Sequence, residues 1–250
     1  MSKAKALGLT SKKFYIDELD SKTLDIILDV KKKHKPELNK FEWGAKNFYD
    51  SNMLKVVQEN IVDTIERVHY KDISVEDFNA KFQDRNIPCI IKGLTKNWDS
   101  YKFDWKSFYK RYKNAKFKVG EDNDGKTLRI KFKHYMKYIV TQKDDCPLYL
   151  FESGVEKNKD SRHLIESYSV PKYFKEDLFR IMGERNRPPY RWFLIGPERS
   201  GTTIHYDPLM TSAWNTSLQG RKLWVMFPFE VPKFIAKGMD YEKKFNNGKT

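Results

Sequence analysis

Gly201-Thr202-Thr203-Ile204-His205-Tyr206-Asp207-Pro208 is the stretch on which the reading of this chain turns. Side chains repeat with period two along an extended segment, so His205 and Asp207 point the same way. One imidazole nitrogen and one carboxylate oxygen can then hold one metal ion from a single side. That is two arms of the 2-His-1-carboxylate arrangement that binds non-haem Fe(II) and leaves positions open for co-substrates. The chain has five histidines, His34, His69, His134, His163 and His205, and none follows His205. Alone, a His-x-Asp triplet is weak evidence, because ordinary polar turns produce it by chance.

Its surroundings strengthen the metal reading. Thr202 places a hydroxyl just upstream, where a ligand carboxylate could accept from it. Trp214-Asn215 follows, then Gly220-Arg221-Lys222 and the apolar run Leu223-Trp224-Val225-Met226-Phe227-Pro228. A lysine among strand formers is usually a solvated edge charge. The alternative is an inward-facing ammonium that pairs with an anionic co-substrate.

The blocks Pro188-Pro189-Tyr190-Arg191-Trp192-Phe193, Gly196-Pro197, Arg199-Ser200-Gly201-Thr202, Asp207-Pro208-Leu209 and Thr211-Ser212-Ala213-Trp214-Asn215 resemble a JmjC domain. The resemblance is narrower still, to the branch of bifunctional arginine demethylases and lysyl hydroxylases. Upstream, Lys116-Phe117-Lys118-Val119-Gly120-Glu121, Asp145-Cys146-Pro147-Leu148-Tyr149 and Val170-Pro171-Lys172-Tyr173-Phe174 match the same branch, so the likeness runs over about residues 31–229. It implies an α+β fold with a jelly-roll barrel. It implies Fe(II), 2-oxoglutarate and O2 as metal and co-substrates. His205 and Asp207 would be iron ligands, and Lys222 would pair with the distal carboxylate of 2-oxoglutarate. Tyr149, Thr202 and Asn215 would supply hydrogen bonds to the co-substrate or around the metal, and Trp192 would wall the substrate pocket. The implied reaction oxidises a C–H bond of a protein side chain, by lysine 5-hydroxylation first and N-methylarginine demethylation second.

One departure is expected to matter. The family takes its third iron ligand, a second histidine, from a later strand, and no such residue follows Asp207 here. The expectation is a barrel truncated within its sheet, either a shortened form of an active enzyme or a naturally short and inactive protein. The chain's ending, just after an apolar strand and a short amphipathic stretch, favours the first. Two ligands alone should bind Fe(II) weakly. The reading from a different class is a basic nuclear interaction protein without activity.

Composition sets the wider bounds. The 250 residues suit one sizeable domain with an annex, and 15% aromatic content implies a packed core. No apolar run reaches membrane-spanning length, and no leader peptide is visible. Cys89 and Cys146 suggest a reducing compartment, each as a small buried hydrophobe. The net charge of +14 favours polyanions or acidic proteins as partners, and with the family likeness it suggests a nuclear, chromatin- or splicing-related and RNA-associated setting. Lys31-Lys32-Lys33-His34-Lys35 reads as the solvated end of a helix or part of a nuclear import signal, with His34 at the surface.

Helices are expected over 23–33, from Ser74 as N-cap, over 104–112, 134–140 and 177–182. Strands are expected over 88–93, 116–120 and 128–132 around an Asp122–Gly125 turn, and over 148–151, 190–195, 203–206, 212–216 and 223–227. The Asp122–Gly125 turn lacks the spacing of a calcium loop. His69, His134 and His163 are assigned to the surface or to packing. The expected organisation is a loose tail and first helix over 1–30, an annex over 31–185 and the start of the barrel over 186–250.

Overall fold

The computed structural model describes residues 6–7, 14–17, 19–99 and 104–237. They belong to two compact units, 1–200 and 201–250. The loose tail expected at the N-terminus lies outside the described residues except for β1 (Ala6–Leu7), which pairs antiparallel with β2 (Phe14–Tyr15). The final residues, 238–250, also lie outside them.

In the first unit, α1 (Ser21–His34) starts where the Asp20 carboxylate accepts from the Thr23 N–H, satisfying one of the free donors of the first turn. It buries Ile27 and Val30 at helical spacing. It also buries Lys31, which corrects the reading of a solvated basic end at that residue, while Lys32 and Lys33 are exposed as expected. The Lys31 ammonium lies 2.5 Å from Asp144 and 4.7 Å from the centre of the Trp43 ring. Burial lowers the Lys31 pKa, against the opposing pull of Asp144. His34 is partly exposed, with Nδ1 2.7 Å from the Glu121 carbonyl.

After α2 (Met53–Asn60), β3 (Glu66–His69) pairs in parallel with β4 (Cys89–Lys92). Between them α3 (Val75–Phe78) begins at Ser74, whose hydroxyl accepts from the Asp77 N–H at 2.9 Å, as expected. Phe78, Phe82, Ile73 and Tyr173 form the small core of this part. α4 (Trp105–Tyr112) is capped by Asp104 through the Ser107 N–H. It leads to the antiparallel hairpin of β5 (Lys116–Glu121) and β6 (Thr127–Lys131). Asp122 closes the turn by accepting from the N–H groups of Asp124 and Lys126, and Gly125 takes φ +76° there. That is turn chemistry, as expected.

β6 runs straight into α5 (Phe132–Thr141), and β7 (Leu150–Glu152) pairs antiparallel with β8 (Phe193–Ile195). A larger core of Phe117, Phe132, Tyr135, Met136, Leu148 and Leu150 fills the space between these elements. The buried Tyr135 hydroxyl donates to the Ile195 carbonyl at 2.6 Å and accepts from the Leu150 N–H at 3.0 Å, tying β7 and β8 to α5. The helix expected over 177–182 is a 3-10 turn, Leu178–Met182, followed by the short α6 (Gly183–Asn186). The cysteines divide: Cys89 is half-buried and Cys146 is exposed, which corrects its assignment as a buried residue. Asp145, beside it, turns its carboxylate to the N–H groups of Lys46 and Phe48 instead.

The second unit departs most from expectation. No ladder includes 203–206, 212–216 or 223–227 among the described residues. Leu223, Trp224, Val225, Met226 and Phe227 are all exposed. A strand exists only where a neighbour takes its N–H and C=O groups, and none of the described residues does so here. The described sheets are two-stranded and not closed into a barrel. α7 (Lys233–Ala236) follows. No helix among the described residues is long and apolar enough to cross a membrane.

Candidate metal and co-substrate site

Within the second unit, His205 Nε2 stands 3.4 Å from Asp207 Oδ1, so the alternation read from the sequence does bring the two groups together. His205 Nδ1 lies 2.6 Å from the Thr203 carbonyl. A carbonyl only accepts, so Nδ1 carries a hydrogen and donates it. In the neutral ring this leaves the Nε2 lone pair facing the Asp207 carboxylate. Two exposed acceptors in that position can share a bridging water, a proton or a metal ion. A backbone carbonyl that fixes the tautomer of a histidine in this way is the usual support for a metal ligand. The Thr203 carbonyl was not legible in the sequence, because a main-chain acceptor has no residue signature.

The donor set suits a first-row metal. Bonds of about 2.1 Å at a right angle separate two donors by roughly 3 Å, close to the observed pair. The fit covers two arms only: no group of three His, Cys, Asp or Glu side chains is placed to hold a metal among the described residues. Just after Asp207, Leu209 and Met210 take positive φ values of 59° and 56°. Such φ is unfavourable for residues with these side chains and makes a sharp corner at the ligand.

The other expected residues are placed separately. Thr202 and Asn215 are exposed, and no hydrogen bond joins either to the His205–Asp207 pair among the described residues. Lys222 holds its ammonium 4.4 Å from the centre of the Trp224 ring. No carboxylate pairs with it among the described residues, and desolvation of the head group lowers its pKa. Tyr149 and Trp192 belong to the first unit. Tyr149 is half-buried just before β7, its ring 5.9 Å from that of Phe151, and burial raises its pKa. Trp192 precedes β8 and is 45% exposed, a large apolar face left to solvent.

Gly196, at the end of β8, makes room for Tyr149. A Cβ there would sit 2.1 Å from Ser200 Oγ and 2.8 Å from the Tyr149 ring. Gly196→Ala is expected to destabilise the first unit by about 1–3 kcal/mol through overpacking. Thermal unfolding of the variant checks this, and an unchanged melting temperature would mean that Tyr149 moves aside freely.

Comparison with known proteins bears on the family of the chain. A family model described as a cupin-like domain matches residues 75–248. The Caenorhabditis elegans protein named bifunctional arginine demethylase and lysyl-hydroxylase psr-1 is 43% identical over 223 residues, which cover 89% of this chain and 55% of that protein. Arginine-specific demethylase JMJ22 of Arabidopsis thaliana is 39% identical over 172 residues, 68% of this chain and 32% of its own. The chicken protein named 2-oxoglutarate and iron-dependent oxygenase JMJD4 is 24% identical over 200 residues, 72% of this chain and 46% of its own. The chain thus spans about half the length of its nematode relative. A cupin-like match over most of the sequence, together with relatives named as iron-dependent oxygenases and demethylases, shows that the chain belongs to the cupin-like, JmjC family of Fe(II)- and 2-oxoglutarate-dependent dioxygenases.

Proposed function

We propose that this chain supplies metal- and co-substrate-binding groups of an Fe(II)/2-oxoglutarate oxygenase acting on protein side chains, by lysine 5-hydroxylation first and N-methylarginine demethylation second. The observation that carries the reading is the His205–Asp207 pair with its tautomer fixed by Thr203. His205 Nε2 and Asp207 Oδ1 would hold the iron. Lys222 would meet the distal carboxylate of 2-oxoglutarate, while Thr202, Asn215 and Tyr149 would donate hydrogen bonds. Trp192 would lie along the substrate side chain. When bound, iron and 2-oxoglutarate supply the oxidising power for C–H chemistry; the protein's part is placement and exclusion of water. The protein would act in the nucleus on splicing- or chromatin-related proteins, in keeping with its charge of +14.

Peptides carrying lysine or N-methylarginine, incubated with protein, Fe(II) and 2-oxoglutarate and read by mass spectrometry, test the proposal. An oxygen added to lysine supports the first reaction, and a methyl group lost from arginine supports the second. The two-armed donor set favours one further reading, a basic interaction protein without turnover. Turnover of neither peptide, with peptide binding retained, would replace the oxygenase proposal by that reading.

A further inference from the structure

In the first unit, Tyr149 sits in a hydrogen-bonded support that ends on one buried guanidinium. Its main chain is held from α5. The Tyr135 hydroxyl accepts from the Leu150 N–H at 3.0 Å and lies 3.1 Å from the Leu148 carbonyl, so it fixes the chain on both sides of Tyr149. The Tyr138 hydroxyl accepts from the Leu148 N–H at 2.9 Å and donates to the Asp144 carboxylate at 2.5 Å. The Tyr149 ring packs against Gly196, where a Cβ would come within 2.8 Å of it. Among the described residues no hydrogen bond takes up the Tyr149 hydroxyl, which leaves it free for a ligand.

Gly196 leads into a tight turn over 197–200. The Ser200 N–H and hydroxyl both donate to the Pro197 carbonyl, at 3.2 and 2.7 Å. Arg199 takes φ +69° there, a conformation uncommon for a residue with a Cβ. Such a conformation persists where the surroundings over-determine it. Here they do. The Arg199 side chain is 6% exposed and points inward, away from the exposed Glu198, which lies 3.9 Å off. Its Nε donates to the Asp144 carbonyl at 2.9 Å and its Nη2 to Gln142 Oε1 at 3.1 Å. Gln142 Oε1 also accepts from the Asp144 N–H at 2.8 Å, and the guanidinium lies 4.9 Å from the centre of the Tyr49 ring. One cation thus fastens the turn after β8 to the loop after α5.

We infer that Arg199 is a positioning residue for Tyr149: through the turn over 197–200 it holds the phenol ring where its hydroxyl can donate to the co-substrate. The inference rests on the co-substrate role proposed above for Tyr149. A site side chain keeps its geometry when its neighbours lock its rotamer. The wall that locks Tyr149 is Gly196, and the turn that follows Gly196 is closed by Ser200 and tied down by Arg199. Arginine suits the task where lysine does not. Its planar fork aims two donors at two fixed acceptors at once, whereas an ammonium on a flexible stem fixes neither direction. Both acceptors, the Asp144 carbonyl and the Gln142 amide oxygen, are uncharged, so the contact sets direction rather than neutralising a carboxylate.

Fluorine NMR of the full chain labelled with fluorotyrosine tests the support without metal or co-substrate. The Tyr149 line is identified by its loss in Tyr149→Phe, and Tyr173, in the separate core around Phe78, is the internal control. Arg199→Lys and Arg199→Gly should shift or broaden the Tyr149 line and leave that of Tyr173 in place. Glycine adopts positive φ freely, so it would restore the turn if Arg199 were only a corner. Isothermal titration of the Mn(II)-loaded chain with 2-oxoglutarate gives the second readout. Both variants should weaken binding roughly fivefold, less than the roughly tenfold or more expected when Tyr149→Phe removes a hydrogen bond to a charged group. In the Tyr149→Phe background, Arg199→Lys should add no more than about twofold, because coupled residues are not additive. An unmoved Tyr149 line in Arg199→Lys, native behaviour of Arg199→Gly, or the full loss again on top of Tyr149→Phe would each overturn the inference. A Tyr149 line that moves while Tyr149→Phe and the native chain bind 2-oxoglutarate equally, or not at all, would overturn it differently, by removing the co-substrate role of Tyr149 itself.

Discussion

Lys222→Ala should raise the 2-oxoglutarate concentration needed to occupy the metal-loaded protein by roughly thirty-fold or more. Truncating one partner of a hydrogen-bonded charge pair costs on the order of 2–5 kcal/mol, and each 1.4 kcal/mol is about tenfold in affinity. The groundwork is visible without the co-substrate: Lys222 is exposed, no carboxylate pairs with it among the described residues, and its ammonium rests against the Trp224 ring. A cation without a counter-charge is free to take up an incoming carboxylate, and closure of the site around the pair strengthens it. Lys222→Arg should weaken binding as well, because the planar guanidinium is larger and directs its donors differently. Isothermal titration with 2-oxoglutarate on the Mn(II)-loaded protein measures the effect. An unchanged affinity in Lys222→Ala would return Lys222 to the role of an exposed cation stacked on Trp224.

The second large effect is on stability. Glu152 is fully buried and accepts from Arg129 twice, at 2.5 and 2.8 Å, and from the Lys118 N–H at 3.2 Å. It therefore ties β7 to the β5–β6 hairpin. Glu152→Gln removes the charge and keeps the shape. The expected loss is about 3 kcal/mol, the low end for breaking a buried pair, because the Arg129 side chain is still 37% exposed. Burial raises the Glu152 pKa, but the hydrogen bond and charge of Arg129 outweigh it and the net shift is downward. A carboxyl depressed in the folded state stabilises above its unfolded pKa, about 4.3, and that contribution fades as pH falls through the lower folded value. Melting temperature should therefore drop on acidification below about pH 4–5 in the native protein, and Glu152→Gln should flatten that part of the curve. A variant as stable as the native protein, with the same acid limb, would show that Arg129 and Glu152 contribute nothing net.

The sequence was legible where local chemistry decides structure. Ser74, Asp104 and the Asp122–Gly125 turn act as caps and turn residues because their side chains bond the backbone beside them. The His205–Asp207 juxtaposition was legible for a similar reason, since two residues of extended chain suffice to align the pair. What depends on distant partners was not. Lys31 sits in a run of basic residues that suggests solvent, yet Asp144 and Trp43 enclose it from far along the chain. β3 carries one strongly apolar residue in Glu66-Arg67-Val68-His69, too faint a pattern to mark a strand, and exists because β4 lies parallel to it. The segments over 203–206, 212–216 and 223–227 show the reverse case. Their pattern is that of strands, but a strand needs a neighbour as well as a pattern.

The central claim is that His205 and Asp207 are two arms of a metal site. Anaerobic titration with Mn(II), followed by electron paramagnetic resonance, addresses it most directly. The account predicts weak binding that vanishes in His205→Ala and in Asp207→Ala, while melting curves of both variants match the native protein. Binding that is indifferent to both substitutions, or no binding at any Mn(II) concentration reached, would contradict it.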